Sequence, residues 1–326
     1  MRHSEPTSQR TLPQQSPAPV SLPRVANEHI APAAAARRIL VATDGSPSST
    51  VAVLAARSLS QHLGVGVDMV AVYAPSIPMP ATPNRPGLRQ CEGPERDAAA
   101  LLLRAVRAQR RQVLGDREER QQWPVRLEVG DPGATIVRLA SDSSPALVVL
   151  GIGHSEPLHR RSTHLSLGTA RYLTVPLYAA MGDGAVPTRC VIAFPDGRPH
   201  QPTIRTALAC VARGAAVWLL MPAAGSKRGA GDVEPGTAGE IFARACDREL
   251  LDKLQSIMLE RVDADDDMLT AVLRTAEQVD AQLIAVPNQG PPGAVRIFLP
   301  NLAEPLLLSA RCSVLVVPDS VESHPT

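Results

Sequence analysis

The sequence predicts an α/β protein built as two tandem doubly wound domains, each a five-stranded parallel sheet with helices on both faces. Three observations carry this. The segments 38–48 (RILVATDGSPS) and 189–197 (RCVIAFPDG) are both short apolar strands that end at Asp-Gly. Each opens a run in which apolar strands alternate with helix-like stretches, the pattern of right-handed parallel crossovers. A repeat of about 150 residues is too long for a solenoid unit and reads as two whole domains. Aromatic residues make up 2% of the chain against 44% hydrophobic. Ala, Val and Leu must therefore fill the cores, as suits a parallel sheet covered on both faces.

In the first copy, 39–43 is the opening strand, and Ser46 or Ser48 can cap a helix running through Ser60. The second strand is 67–73, the proline-rich 74–94 reads as a loop, and 95–120 has helical composition. The third strand is 125–129, followed by a helix over 132–141 with Asp131 at its cap. Strand four is 146–150, a helix starts over 168–173, and strand five is 175–179.

The second copy repeats the order. Its strands are 191–194, 216–221, 256–260, 283–286 and 313–317, with a long loop at 222–239 and a long helix at 242–254. The acidic run 263–267 lacks the Gly and terminal Glu of a calcium loop. Its place just before a helix at 269–279 suits dipole complementation instead. The expected boundaries are a Pro-rich tail at 1–36, domains at 37–181 and 189–318, and a tail at 319–326. The short segment 182–188 (GDGAVPT) is a linker that makes the two domains pack on each other.

Lys plus Arg total 33 and Asp plus Glu 32. That balance gives no field for nucleic acid or an anionic membrane, and the scarcity of aromatics removes a stacking platform. No segment reaches the roughly 20 apolar residues of a membrane span. The N-terminal segment lacks the apolar core of a secretory signal, so a soluble, cytoplasmic protein is expected. Cys91, Cys190, Cys210, Cys246 and Cys312 are scattered without a CxxC pair and read as reduced thiols. His154, His159 and His164 recur at intervals of five, not the i, i+4 of a helical metal pair, so no metal site is expected. There is no nucleophile elbow, no Walker loop and no assembled catalytic set, so the chain is not expected to be an enzyme.

Several matches coincide: the strand with Asp-Gly-Ser at 39–46, Val129-Gly130-Asp131-Pro132, ALVVLG at 146–151, and Val175-Pro176-Leu177. With them the chain resembles the universal stress protein family over about 37–180 and again 189–318. The resemblance implies five parallel strands per domain, frequent dimers and tandem forms, and two branches, one binding ATP and one binding no nucleotide. The ATP-binding branch carries Gly-x-x-Gly, nine residues, then Gly-Ser or Gly-Thr after the fourth strand. Glycines let backbone N–H groups reach phosphate, and a helix N-terminus adds donors and a positive dipole end.

The first copy departs from that motif. It has Gly151-Ile152-Gly153, fourteen residues, then Gly168-Thr169, and the insert carries Arg160 and Arg161, which can meet phosphate. A modified loop for ATP with Mg²⁺ and a solvated loop whose glycines only make turns both fit this pattern. Asp44, at the ligand edge of the sheet, matches the family's acidic residue for ribose or adenine; an Asx-type turn would equally use it. Val72 matches an apolar wall for the base, and core packing would explain it as well. The second copy reads Pro287-Asn288-Gln289-Gly290, nine residues, then Pro300-Asn301. Its prolines remove N–H donors, so it is expected to have lost the site. Three functional classes follow: a regulatory nucleotide-binding protein, a nucleotide-free structural or partner-binding module, and a slow nucleotide hydrolase, which lacks a catalytic set. Association into a homo-oligomer stays open.

Overall fold

The computed structural model describes residues 38–75, 93–115, 123–152, 168–223, 240–241, 248–263, 266–288 and 302–319. The first copy contains β1 (Ile39–Ala42), α1 (Pro47–Leu63), β2 (Val67–Tyr73), α2 (Pro94–Val113), β3 (Val125–Val129), α3 (Pro132–Ser143), β4 (Leu147–Gly151) and β5 (Leu177–Ala180). The second contains β6 (Arg189–Ala193), α4 (Gln201–Cys210), β7 (Ala215–Pro222), α5 (Arg248–Leu251) and β8 (Leu254–Val262). It continues with α6 (Met268–Gln278), β9 (Leu283–Asn288), α7 (Ala303–Ser309) and β10 (Ser313–Pro318).

Local chemistry sets the helix ends. Ser46 accepts from the Ser49 N–H at 3.2 Å with Pro47 in the first turn, where its missing N–H costs nothing. Gly64 closes α1 in the left-handed region, φ 68°. Asp131 caps α3 by accepting from the Ala134 N–H at 2.8 Å. Asp267, within the acidic run read as complementing the helix dipole, caps α6 by accepting from the Thr270 N–H at 3.0 Å.

The strands form one ten-stranded sheet in the order β3-β2-β1-β4-β5-β10-β9-β6-β7-β8. Each copy contributes five strands that pair in parallel. The copies join where β5 and β10 pair antiparallel, with Leu315 opposite Tyr178. That reversal puts the carboxyl ends of the first copy's strands at one edge of the sheet and those of the second copy at the other. Fully buried strands such as β1, β4, β9 and β10 explain the continuous apolar runs in the sequence.

Two apolar clusters cover the two faces and both run through the junction. One gathers α1, α2 and α4 over Val41, Met69, Tyr178, Ile192 and Leu315. The other gathers α3, α6 and α7 over Val70, Val148, Leu177, Ile284 and Val316. Each such side chain contributes about 1.5–3 kcal/mol by leaving water, so the shared clusters bind the copies into one body. The connection at 182–188 also packs down: a Cβ on Gly184 would lie 2.7 Å from the Ala55 nitrogen in α1.

Two sequence expectations are corrected. The helix read over 95–120 ends at Val113, where Leu114 turns extended. The helix read over 242–254 ends at Leu251, because Leu254 already pairs with Ala215 in β8, a nine-residue strand longer than the expected 256–260. Residues 242–247 and the N-terminal 1–37 lie outside the described residues.

Candidate functional site

Open parallel sheets bind ligands beyond the carboxyl ends of their strands. In the first copy that edge is built from the ends of β1, β2 and β4. Thr43 continues β1 by donating its N–H to Val70 at 2.9 Å, and Asp44 follows at the surface. Asp44 Oδ1 accepts from the Ser46 N–H at 2.9 Å, the Asx turn expected of Asp-Gly. This is the hydrogen bond Asp44 makes among the described residues, and it uses one of its two oxygens. Gly45 takes φ 79°, which a side chain resists. Val72 ends its strand half-buried, on the face of the second apolar cluster. Beside it, Gly130 donates its N–H to Tyr73 at 2.9 Å, leading into the Asp131 cap.

Gly151 closes β4 at the same edge, but its lack of a side chain has another cause. A Cβ there would sit 2.0 Å from the Ser48 carbonyl oxygen and 2.5 Å from its carbon. The glycine lets the first turn of α1 lie directly on β4, so it is a packing residue.

Gly168 and Thr169 are placed elsewhere. Strand registers fix which residues correspond between the copies. Ile39 pairs with Val67 and Leu147, as Cys190 pairs with Val217 and Leu283. Val148 pairs with Leu177, as Ile284 pairs with Val314. Leu177 therefore corresponds to Val314, and counting back Gly168 corresponds to Pro305 and Thr169 to Leu306. Burial runs in parallel along both segments, and Leu173 donates to the Thr169 carbonyl as Ala310 does to Leu306. Thr169 thus stands in the helix core, 0% exposed, where the second copy has Leu306, and its hydroxyl has no partner among the described residues. The neighbouring Ala170 carbonyl accepts from Asn288 Nδ2 at 2.8 Å. Asn288 ends β9, at the sheet edge opposite Asp44. The structure brings Asp44, Val72 and Gly151 to one edge and leaves Gly168 and Thr169 away from it. Gly153 and Arg160, with the histidines at 154, 159 and 164, lie outside the described residues.

The second copy's edge is built differently. Phe194, 0% exposed, takes the place of Thr43, donating its N–H to Leu220 as Thr43 does to Val70. Pro195 is inserted before the Asp-Gly turn, in which Asp196 accepts from the Arg198 N–H at 3.0 Å. Pro222 stands at the position of Val72. His200 then caps α4: its Nδ1 lies 2.6 Å from the Thr203 hydroxyl and 3.3 Å from the Thr203 nitrogen, and its Nε2 lies 3.7 Å from Asp319. Burial holds the imidazole below its ordinary value, against the opposing pull of Asp319 and Asp196. Among the described residues no group of three or more His, Cys, Asp or Glu could hold a metal ion. No helix among them is long and apolar enough to cross a membrane.

Sequence reasoning missed Gln109, which is 5% exposed on α2. The signal was available: Gln109 interrupts the buried stripe Ala99, Val106, Val113 at a helical spacing that calls for an apolar residue.

The model of the universal stress protein family matches residues 35–168 and again 189–318. The chain belongs to that family. Among solved structures, a universal stress protein from Archaeoglobus fulgidus is similar over 86% of this chain and 96% of its own, at 15% identity and TM-score 0.59. That likeness supports the shared fold of this tandem universal stress protein. A functionally unknown protein from Pseudomonas aeruginosa covers 87% and 93% at 13% identity, TM-score 0.44. A universal stress protein solved in complex with cAMP covers 44% and 95% at 20% identity, TM-score 0.32. No curated protein matches by sequence.

Proposed function

We propose that this tandem universal stress protein is a regulatory module whose first copy binds an adenine nucleotide at the Asp44–Val72 edge, with the second copy as its internal partner. The observation that carries the reading is Asp44. It is an exposed carboxylate at the carboxyl end of β1, with one oxygen used by its own turn and the other available to a ribose hydroxyl or an adenine amine. Val72 stands half-buried one strand away, an apolar surface for a base. In the second copy these places hold an Asp behind Pro195, and Pro222.

The described residues fit the nucleoside end of ATP better than its phosphates. Gly151 is taken up by packing on Ser48, and the Thr169 hydroxyl is sealed in the core. The phosphate contacts expected of Gly153 and Arg160 fall outside the described residues. Bound ATP, with Mg²⁺, would supply a signal of nucleotide state.

A nucleotide-free interaction module is the competing reading, favoured by the positions of Gly151 and Thr169. Titration calorimetry with ATP and Mg²⁺ separates the two. One saturable site per chain, lost in Asp44→Ala and kept in Asp196→Ala, supports the nucleotide site. No heat with the wild-type chain refutes it. Release of phosphate above the buffer rate would instead make the protein a hydrolase.

A further inference from the structure

The turn that presents Asp44 is held by side chains, one of which, Thr43, gives way to Phe194 in the second copy. Gln109, buried on α2, reaches across to the start of α1. Its Nε2 donates to the Thr50 hydroxyl at 2.7 Å, to Ser49 Oγ at 3.1 Å and to the Ser46 carbonyl at 3.3 Å. Its Oε1 accepts from the Thr43 hydroxyl at 2.5 Å. Thr43 and Ser46 flank the Asp44-Gly45 turn, so one amide bonds the chain on both sides of it. Thr43 Oγ1 also accepts from the Gly45 N–H at 3.2 Å, which ties the turn itself into the network. One helical turn before Gln109, Ala105 closes the space behind the turn: a Cβ on Gly45 would lie 3.1 Å from the Ala105 Cβ.

The second copy shows that the fold does not need this clamp. Phe194 fills the place of Thr43, and among the described residues a Cβ on Gly197 would meet nothing nearer than Pro222 at 3.9 Å. A buried polar network costs desolvation unless every member is paired, so an apolar solution such as Phe194 is the cheaper way to seal this edge. The polar solution appears in the copy that keeps an unblocked carboxylate.

We propose that Gln109 is a positioning residue for nucleotide binding, acting through Asp44 by fixing the 43–46 turn from α2. The proposal rests on the nucleotide reading above. A preset turn spares the ligand the entropy of ordering it, so affinity depends on Gln109 without contact. Gln109→Met keeps the volume of the side chain and removes its bonds. The hydroxyls it leaves retain partners, Ser49 and Thr50 donating to the Ser46 carbonyl at 2.9 and 3.0 Å, so the fold is kept. Gln109→Glu is a second variant, which keeps the acceptor for Thr43 and loses the amide donors.

Two readouts on the full chain test the clamp. Amide hydrogen exchange over 45–50 should quicken at least tenfold in Gln109→Met and Gln109→Glu, with exchange in β4 and β9 unchanged. ATP affinity should fall about tenfold in Gln109→Met, equivalent to about 1.4 kcal/mol, and that loss should vanish in the Asp44→Ala background. Where Asp44→Ala leaves no measurable binding, Asp44→Asn takes its place in the cycle. Losses that add independently would make Gln109 a merely structural residue and overturn the proposal, and so would unchanged exchange over 45–50. A wild-type chain that binds no ATP refutes the nucleotide reading itself, and exchange alone then decides whether the clamp exists.

Discussion

Gly151 and Gly168 look alike as members of a glycine motif, and the structure gives them opposite responses to the same change. In Gly151→Ala the new methyl would start 2.0 Å from the Ser48 oxygen and 3.0 Å from the Ser49 nitrogen, against an ordinary contact of 3.4 Å or more. Both are backbone atoms in the first turn of α1, and no rotamer relieves the clash. The turn must move off β4, and with it Ser49, which is bonded to Thr43 and Gln109. Close-packed interiors resist such displacement, and overpacking costs typically 1–3 kcal/mol, so a loss of about 3 kcal/mol is expected here. Among the described residues nothing lies within 4 Å of an added Cβ on Gly168, and its φ is not in the left-handed region. Gly168→Ala should therefore gain about 0.4–1 kcal/mol by restricting the unfolded chain. Urea unfolding followed by circular dichroism reads both: the midpoint of Gly151→Ala should fall by about 1 M or more and that of Gly168→Ala should rise slightly. A Gly151→Ala protein within 0.5 kcal/mol of wild type would refute the packing account. Gly168→Ala should also leave ATP affinity unchanged, which a phosphate cradle at Gly168 would not allow.

Other expectations follow from the same contacts. Thr169→Val replaces an unpartnered buried hydroxyl with a methyl of the same shape and should add about 1 kcal/mol in urea unfolding; a loss would mean the hydroxyl has a partner. The depressed His200 favours the neutral ring in the folded protein. Its contribution is present above the ordinary histidine value of about 6.5 and is lost as pH falls through the lower folded value. His200→Asn, which keeps a cap acceptor for Thr203, should flatten the fall in stability on acidification; an unchanged slope would assign it to other groups. Burial raises the Cys190 thiol well above its ordinary value and pushes Cys210 up to about 12, so thiolate is scarce at both. A thiol reagent should leave both unmodified in the folded chain and react with them after unfolding, as mass spectrometry of tryptic peptides would show.

The architecture was legible because buried parallel strands are written as apolar runs, and the Asp-Gly turns at 44–45 and 196–197 mark where each copy begins. The caps at Ser46 and Asp131 were legible for the same local reason. What escaped was spacing across a variable connection. Fourteen residues between Gly153 and Gly168 read in the sequence as an enlarged loop that ends at the Gly-Thr pair. Strand register shows that the pair lies inside a helix, at the places of Pro305 and Leu306. Only the pairing of Leu177 with Val148 exposes this, and a single chain does not print its pairings. Gln109 was hidden differently: one polar residue in an amphipathic stripe carries no hint of the four partners waiting 59 to 66 positions upstream. Asn288, at the end of an apolar strand, gave no local sign that it bonds Ala170 in the other copy.

The central claim is that nucleotide binds at the first copy's edge beside Asp44 and Val72. A photoreactive azido-adenine analogue of ATP, bound, irradiated and mapped by peptide mass spectrometry, tests this most directly. The account predicts label in peptides that hold 43–46 or 71–75, competed away by ATP and absent in Asp44→Ala. Competable label in 168–175, or at the second copy's edge in 195–200 or 221–223, would contradict it.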